Sequence, residues 1–254
     1  MRRNWSGLLA AAALFATGGA RAWTSPPSLE APPELIDLAA PVGPGRLVVP
    51  VRFGTPDATL PVVVILPDAL GEDGRAEPYV EALLSRGFAV LALEVDLPAA
   101  GEGGSAAAAR LAASWASRDA RLDADRIGLL GFGAGARAAL GGGQGRPVVA
   151  LYPGCRGLEL GGAGSALILY GTEAGDALTC AGLAVPPEVE LRAMPGAGHG
   201  WDVVGTLWLA GMLLPDPGGG RQRAVPNPRA TLDAAEMTAD HFEAAFGASR
   251  SAGR

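Results

Sequence analysis

The run Gly131-Phe132-Gly133-Ala134-Gly135 has the frame of G-x-S-x-G, the strained strand-to-helix turn that lifts a nucleophile over a helix N-terminus. Its central position, where Ser or Cys is required, is Gly133. Glycine carries no side-chain nucleophile, so covalent acyl transfer through this position is closed. The same stretch meets G-x-G-x-x-[GA] at Gly131, Gly133 and Ala136, a pattern that cradles a pyrophosphate. That use needs an acidic residue at the end of the next strand to hold a ribose, and here the next strand ends Leu151-Tyr152-Pro153-Gly154. Taken alone, the segment also reads as a glycine-rich turn without chemistry. Two histidines complete the inventory of candidate bases. His199 stands in a loop, Met194-Pro195-Gly196-Ala197-Gly198-His199-Gly200-Trp201-Asp202, whereas His241 falls in the last amphipathic stretch and reads as a surface or packing residue.

The elements that must position these groups follow from apolar runs. Residues 47–53 and 61–66 flank the turn signal Gly54-Thr55-Pro56-Asp57 and predict a leading hairpin. Further runs at 88–93, 127–130, 148–152, 166–170 and 189–193 lack alternation, as suits strands covered on both faces by helices. Between them, 78–86, 105–118, 134–140 and 201–214 predict helices, and 231–246 a final one. Repeated strand–helix–strand units predict an α/β fold with a doubly wound, mostly parallel sheet. One domain over 46–248 accommodates them, with a short tail at 249–254.

The loop around His199 matches P-G-A-x-H-G-[FW]-D. With Tyr152-Pro153-Gly154-Cys155, the strand 61–66 leading into Pro67-Asp68-Ala69-Leu70-Gly71, and Leu169-Tyr170-Gly171-Thr172 ahead of Cys180, it resembles the dienelactone hydrolase family of α/β-hydrolases over roughly residues 47–246. The resemblance implies an α/β-hydrolase fold and hydrolysis of esters or lactones by a Cys or Ser, Asp and His triad. It places His199 as the base and the acid shortly after Gly171. Ala174 occupies the usual acid position, so Asp176 or Glu173 beside it must serve, with Asp176 favoured. The backbone oxyanion donors would be Ala134 and either Ala69 or Leu70.

Three readings of function follow. The chain has lost ordinary ester chemistry and binds a small ester, lactone or carboxylate ligand, or a partner, with the old pocket. Alternatively it remains a carboxylic ester hydrolase, His199 activating water or a substitute nucleophile such as Asp68 or Thr172 entering the site. The third is a structural exported protein.

Composition sets the setting. The 254 residues carry 49% hydrophobic and 18% charged residues, as a folded domain does. All 20 basic residues are Arg and the net charge is −6, which argues against a nucleic-acid partner, since that binding rests on clustered positive charge. Arg221, Arg223 and Arg229 make a local basic patch that reads as solvated surface. Residues 1–22 have the charged start, apolar run and Ala20-Arg21-Ala22 end of a signal peptide, too short in its apolar part to span a bilayer. A Pro-rich tether over 23–45 follows. The mature protein is therefore expected to be secreted or periplasmic, without stable membrane insertion. There, Cys155 and Cys180 predict one disulfide. No metal or cofactor motif is apparent.

Overall fold

The computed structural model describes residues 33–38, 42–50, 58–94, 101–204 and 209–252. The expected signal peptide and the first part of the tether lie outside them. Strand β1 (Glu34–Leu38) and β2 (Gly43–Val48) open the described chain, followed by β3 (Leu60–Leu66), α1 (Glu77–Ser85), β4 (Ala89–Leu93), α2 (Gly101–Ala116) and β5 (Leu122–Phe132). Then come α3 (Ala134–Gly142), β6 (Val148–Leu151), β7 (Ala166–Gly171), α4 (Ala177–Ala181) and β8 (Val189–Met194). The hairpin β9 (Leu213–Pro215) and β10 (Arg221–Arg223) precedes the long α5 (Pro228–Ala252).

The main sheet has the order β1-β2-β4-β3-β5-β6-β7-β8. Strands β3 to β8 are parallel, and β1 and β2 join antiparallel at one edge. Every residue of β3 is buried, because successive side chains enter two different cores. Val62, Val64 and Leu66 meet the alanine-rich faces of α2 and α3, while Val63 and Ile65 meet Tyr79 and Leu83 of α1 and Phe242 and Phe246 of α5. A strand covered in this way shows no polar alternation, which is why the continuous apolar runs foretold it.

Four expectations are corrected. The hairpin expected from 47–53 and 61–66 does not form over its described part, since Leu47 and Val48 pair with β4, and residues 51–57 lie outside the described residues. A fully apolar central strand needs a neighbour on each side, and β4 lies between β2 and β3. The tether expected over 23–45 stops short, since Glu34–Leu38 and the residues from Gly43 onward are strands. The tail expected at 249–254 is entered by α5, which continues to Ala252. The helix expected over 201–214 is absent from its described residues. Gly200 and Gly211 have φ of +60° and +79°, and Val203, Leu209 and Leu214 close a small cluster with Ala224. This tertiary demand overrides the apolar spacing.

Candidate active site

The turn between β5 and α3 is an elbow. Gly133 has φ +49° and ψ −110°, a conformation that side-chain-bearing residues hold only under strain. Gly135 lets the helix approach the end of β3 closely, since a Cβ there would stand 2.3 Å from the carbonyl oxygens of Leu66 and Pro67. That approach carries the next residue, Asp68, over the elbow.

Asp68 fills the space that a side chain at residue 133 would enter. A Cβ on Gly133 would fall 2.1 Å from Asp68 Oδ1. This oxygen accepts hydrogen bonds from the backbone N–H of Ala69 (2.7 Å) and of Ala134 (3.0 Å). Ala134 and Ala69 were two of the three candidate oxyanion donors, and the structure brings them onto one carboxylate oxygen of the chain itself. Leu70, the other candidate, is exposed.

The second oxygen, Oδ2, accepts from Arg75 Nη1 at 3.0 Å. Arg75 is 3% exposed and also grips Asp73, with Nε 2.9 Å from both carboxylate oxygens and Nη2 2.5 Å from Oδ2. Nη1 donates as well to the hydroxyl of Tyr152, at 3.2 Å. Burial works against the charged guanidinium, but Tyr152, Asp73, Asp68 and Asp202 outweigh it and hold its pKa above the usual value. The Tyr152 hydroxyl in turn donates to Asp202, 2.7 and 2.9 Å from its two oxygens, and Tyr79 donates to Asp202 Oδ2 at 3.1 Å. Burial raises the Asp202 pKa to about 6, against the pull of Arg75 and both hydroxyls. Tyr152 itself sits at φ +39°, a strained position for a residue with a side chain.

His199 is 2% exposed and lies edge-on to the Tyr152 ring, with centroids 5.1 Å apart. Its Nε2 has no hydrogen-bond partner among the described residues. Burial pushes its pKa down. Of the carboxylates that oppose this, Asp68 acts most strongly, then Asp216, then Asp176.

Neither candidate acid holds His199 by a hydrogen bond. Asp176 Oδ2 accepts from the Cys155 N–H at 2.9 Å and lies 3.4 Å from Cys180 Sγ. Gln222 Nε2 donates to Asp176 Oδ1 (3.3 Å) and to Asp216 Oδ2 (2.7 Å), linking the two. Glu173 is exposed. Thr172, considered as a substitute nucleophile, accepts from Gly196 N–H at 2.9 Å and lies 3.4 Å from the Met194 carbonyl oxygen. The disulfide joins Cys155 to Cys180. Asp176 lies beside both sulfurs, but paired sulfurs are not thiolate ligands, so the three make no metal site in this state. Of the basic patch, Arg221 and Arg223 hold the carbonyls of Leu213 and Gly211 and fasten the β9–β10 hairpin.

Arg75, Asp73, Tyr79, Asp216 and Gln222 escaped the sequence reading, and Tyr152 and Asp202 entered it only as parts of motifs. The one local signal was the density of charge in Glu72-Asp73-Gly74-Arg75 directly after a buried strand.

No protein-family model matches the chain, and no curated protein does. Its fold does have solved counterparts. A dienelactone hydrolase-like promiscuous phosphotriesterase from metagenomic libraries superimposes with a TM-score of 0.63 at 14% identity, over 85% of this chain and 99% of that one. Thermogutta terrifontis esterase 2, in a form phosphoramylated by tabun, gives 0.58 at 14% identity, over 85% and 95%. The chain thus has the α/β-hydrolase fold in the form seen in dienelactone hydrolase-like proteins.

Proposed function

We propose that this chain is an exported protein of the ester and lactone hydrolase lineage that does not carry out Ser- or Cys-type acyl transfer. One observation carries the reading: Asp68 Oδ1 fills the oxyanion hole and stands where the side chain of residue 133 would begin. An ester carbonyl needs those same two N–H groups as its oxygen gains charge, so an acyl substrate has neither a nucleophile to meet nor a hole to enter. A ligand carboxylate would likewise have to displace Asp68. What remains is a carboxylate cradled by two backbone amides and Arg75, with a buried imidazole on the far side of Tyr152. Export is supported by the leader-like start and the disulfide. No described helix is long and apolar enough to cross a membrane.

The test is a chromogenic aryl ester together with a fluorophosphonate probe. The wild-type protein is expected to turn over neither. Gly133→Ser alone stays inert, since its Cβ meets Asp68. In an Asp68→Gly background the serine has room, takes the probe and hydrolyses the ester. Wild-type ester turnover that disappears in His199→Ala would overturn the reading.

A further inference from the structure

The disulfide is flanked by a carboxylate to which it offers no donor. Asp176 Oδ2 lies 3.4 Å from Cys180 Sγ, and a sulfur bonded to another sulfur has no proton to give. With the bond reduced, the same side chains present two thiols and a carboxylate, their ligand atoms within 4.8 Å of one another. We propose that Cys155, Cys180 and Asp176 form a zinc site in the reduced protein, so that the disulfide and Zn2+ are alternative occupants of one place. The site lies between the loop after β6 and α4. It draws on neither Asp68 nor Gly133, and it stands or falls apart from the fate of ester chemistry.

Both cysteines are made as thiols, so the reduced state comes first. Binding of Zn2+ forms two Zn–S bonds and one Zn–O bond and releases the two thiol protons to solvent, with no change of oxidation state. Soft thiolate ligands suit Zn2+, and three protein ligands leave the fourth tetrahedral position to water. Closure of the disulfide is the competing step. The two sulfurs give two electrons to an oxidant of the disulfide class, which is reduced to two thiols as the Cys155–Cys180 bond forms. The ion then leaves, because its thiolates are gone.

Three features support this. First, two of the ligands are held by bonds other than the disulfide. Arg137 of α3 donates to the carbonyls of Pro153, Gly154 and Arg156 on either side of Cys155. The Cys155 N–H fixes Asp176 Oδ2, and Gln222 Nε2 holds Oδ1. Second, the third ligand has room to adjust. Cys180 is the only buried residue of α4, and Leu178 beside it is 91% exposed, so the link at Cys180 is what fastens this short helix. The Cα atoms of Cys155 and Cys180 are 5.0 Å apart. Thiolates about 2.3 Å from one Zn2+ stand about 3.7 Å from each other, which rotation of the Cys180 side chain can supply. Third, the charge calls for a cation. Two thiolates beside Asp176 would gather negative charge where both sulfurs are buried, and a divalent ion offsets it.

The experiment reduces the full chain with a phosphine under argon, removes the reductant, and titrates with Co2+, whose visible spectrum reports thiolate ligation, then with Zn2+. Reduced wild type is expected to take up about one ion per chain with thiolate-to-cobalt absorption that Zn2+ abolishes. The disulfide form is expected to show none. Cys180→Ser should lose the absorption, and Asp176→Asn should weaken Zn2+ binding roughly tenfold or more with an unchanged far-ultraviolet circular dichroism spectrum. Bound Zn2+ should also slow the loss of both thiols to oxidised glutathione. If the reduced chain is unfolded without metal, Zn2+ is expected to restore its native spectrum. Should Asp176→Asn not fold, zinc K-edge absorption of the wild-type complex decides, with sulfur and oxygen neighbours in equal number expected and an all-sulfur or sulfur-free shell overturning the assignment. No uptake by the reduced protein, equal uptake by the disulfide form, or undiminished affinity in a folded Asp176→Asn likewise overturns it.

Discussion

Two arginines of this protein each gather several carboxylates, in opposite surroundings. Arg75 lies beside Asp68 and grips it and Asp73 with almost no solvent contact. Arg86 ends α1 and holds Glu236, Asp240 and Glu243 along α5 at the surface. In water the attraction between such charges is weak and screened by salt. In the interior, each charge depends on its partners because water no longer solvates it. The buried cluster thus locks one carboxylate into one position, while the surface cluster helps two helices lie together.

The largest effect expected from this contrast is on Arg75. Arg75→Ala leaves Asp68 and Asp73 buried without their counter-ion and should cost about 3–5 kcal/mol in urea unfolding. A loss below about 1 kcal/mol would mean the cluster is wetter than its burial indicates.

Next is the pH dependence that Asp202 gives the same cluster. Its folded pKa of about 6 exceeds the ordinary 3.8, so between these values the folded state keeps a proton that the unfolded chain has lost. Its contribution is present below pH 4 and fades as pH rises toward 6, by roughly 3 kcal/mol in all. Asp202→Asn should flatten this slope. His199 acts with the opposite sign, since its lowered pKa makes stability fall as pH drops below 6.5. It is present in both proteins, so the difference between their stability–pH curves isolates Asp202. Identical curves would remove the raised pKa from the account.

The smallest effect is at the surface. Arg86→Ala should cost no more than about 1 kcal/mol, and the loss should shrink in high salt. A salt-independent loss as large as that of Arg75→Ala would erase the distinction between the clusters.

Much of the fold was legible because its signals are local. Strands β4, β6, β7 and β8 lie within a residue of the apolar runs that announced them, and β5 extends its run at both ends. The elbow was legible from three glycines in a row of five. Strand β1 was hidden in a Pro-rich stretch, its burial alternating at the sheet edge rather than running continuously. The short hairpin β9–β10 was hidden because its three-residue strands carry no period. The site was half legible. His199 and Gly133 stood out by motif and by absence, and Asp68 was named among possible intruders. Asp176, the acid expected after Gly171, accepts a hydrogen bond from the backbone N–H of Cys155, a partner that no local pattern announced.

The amino-acid order alone determined the alternation of strand and helix and the glycine-dense turn from β5 into α3, because each rests on neighbours within a few residues. Only the tertiary structure decided what fills the gap. Asp68 reaches the Ala134 N–H because β3 and β5 pair in parallel and Gly135 has no side chain to keep α3 away. Arg75 then holds it there, from a loop whose path no local pattern specifies.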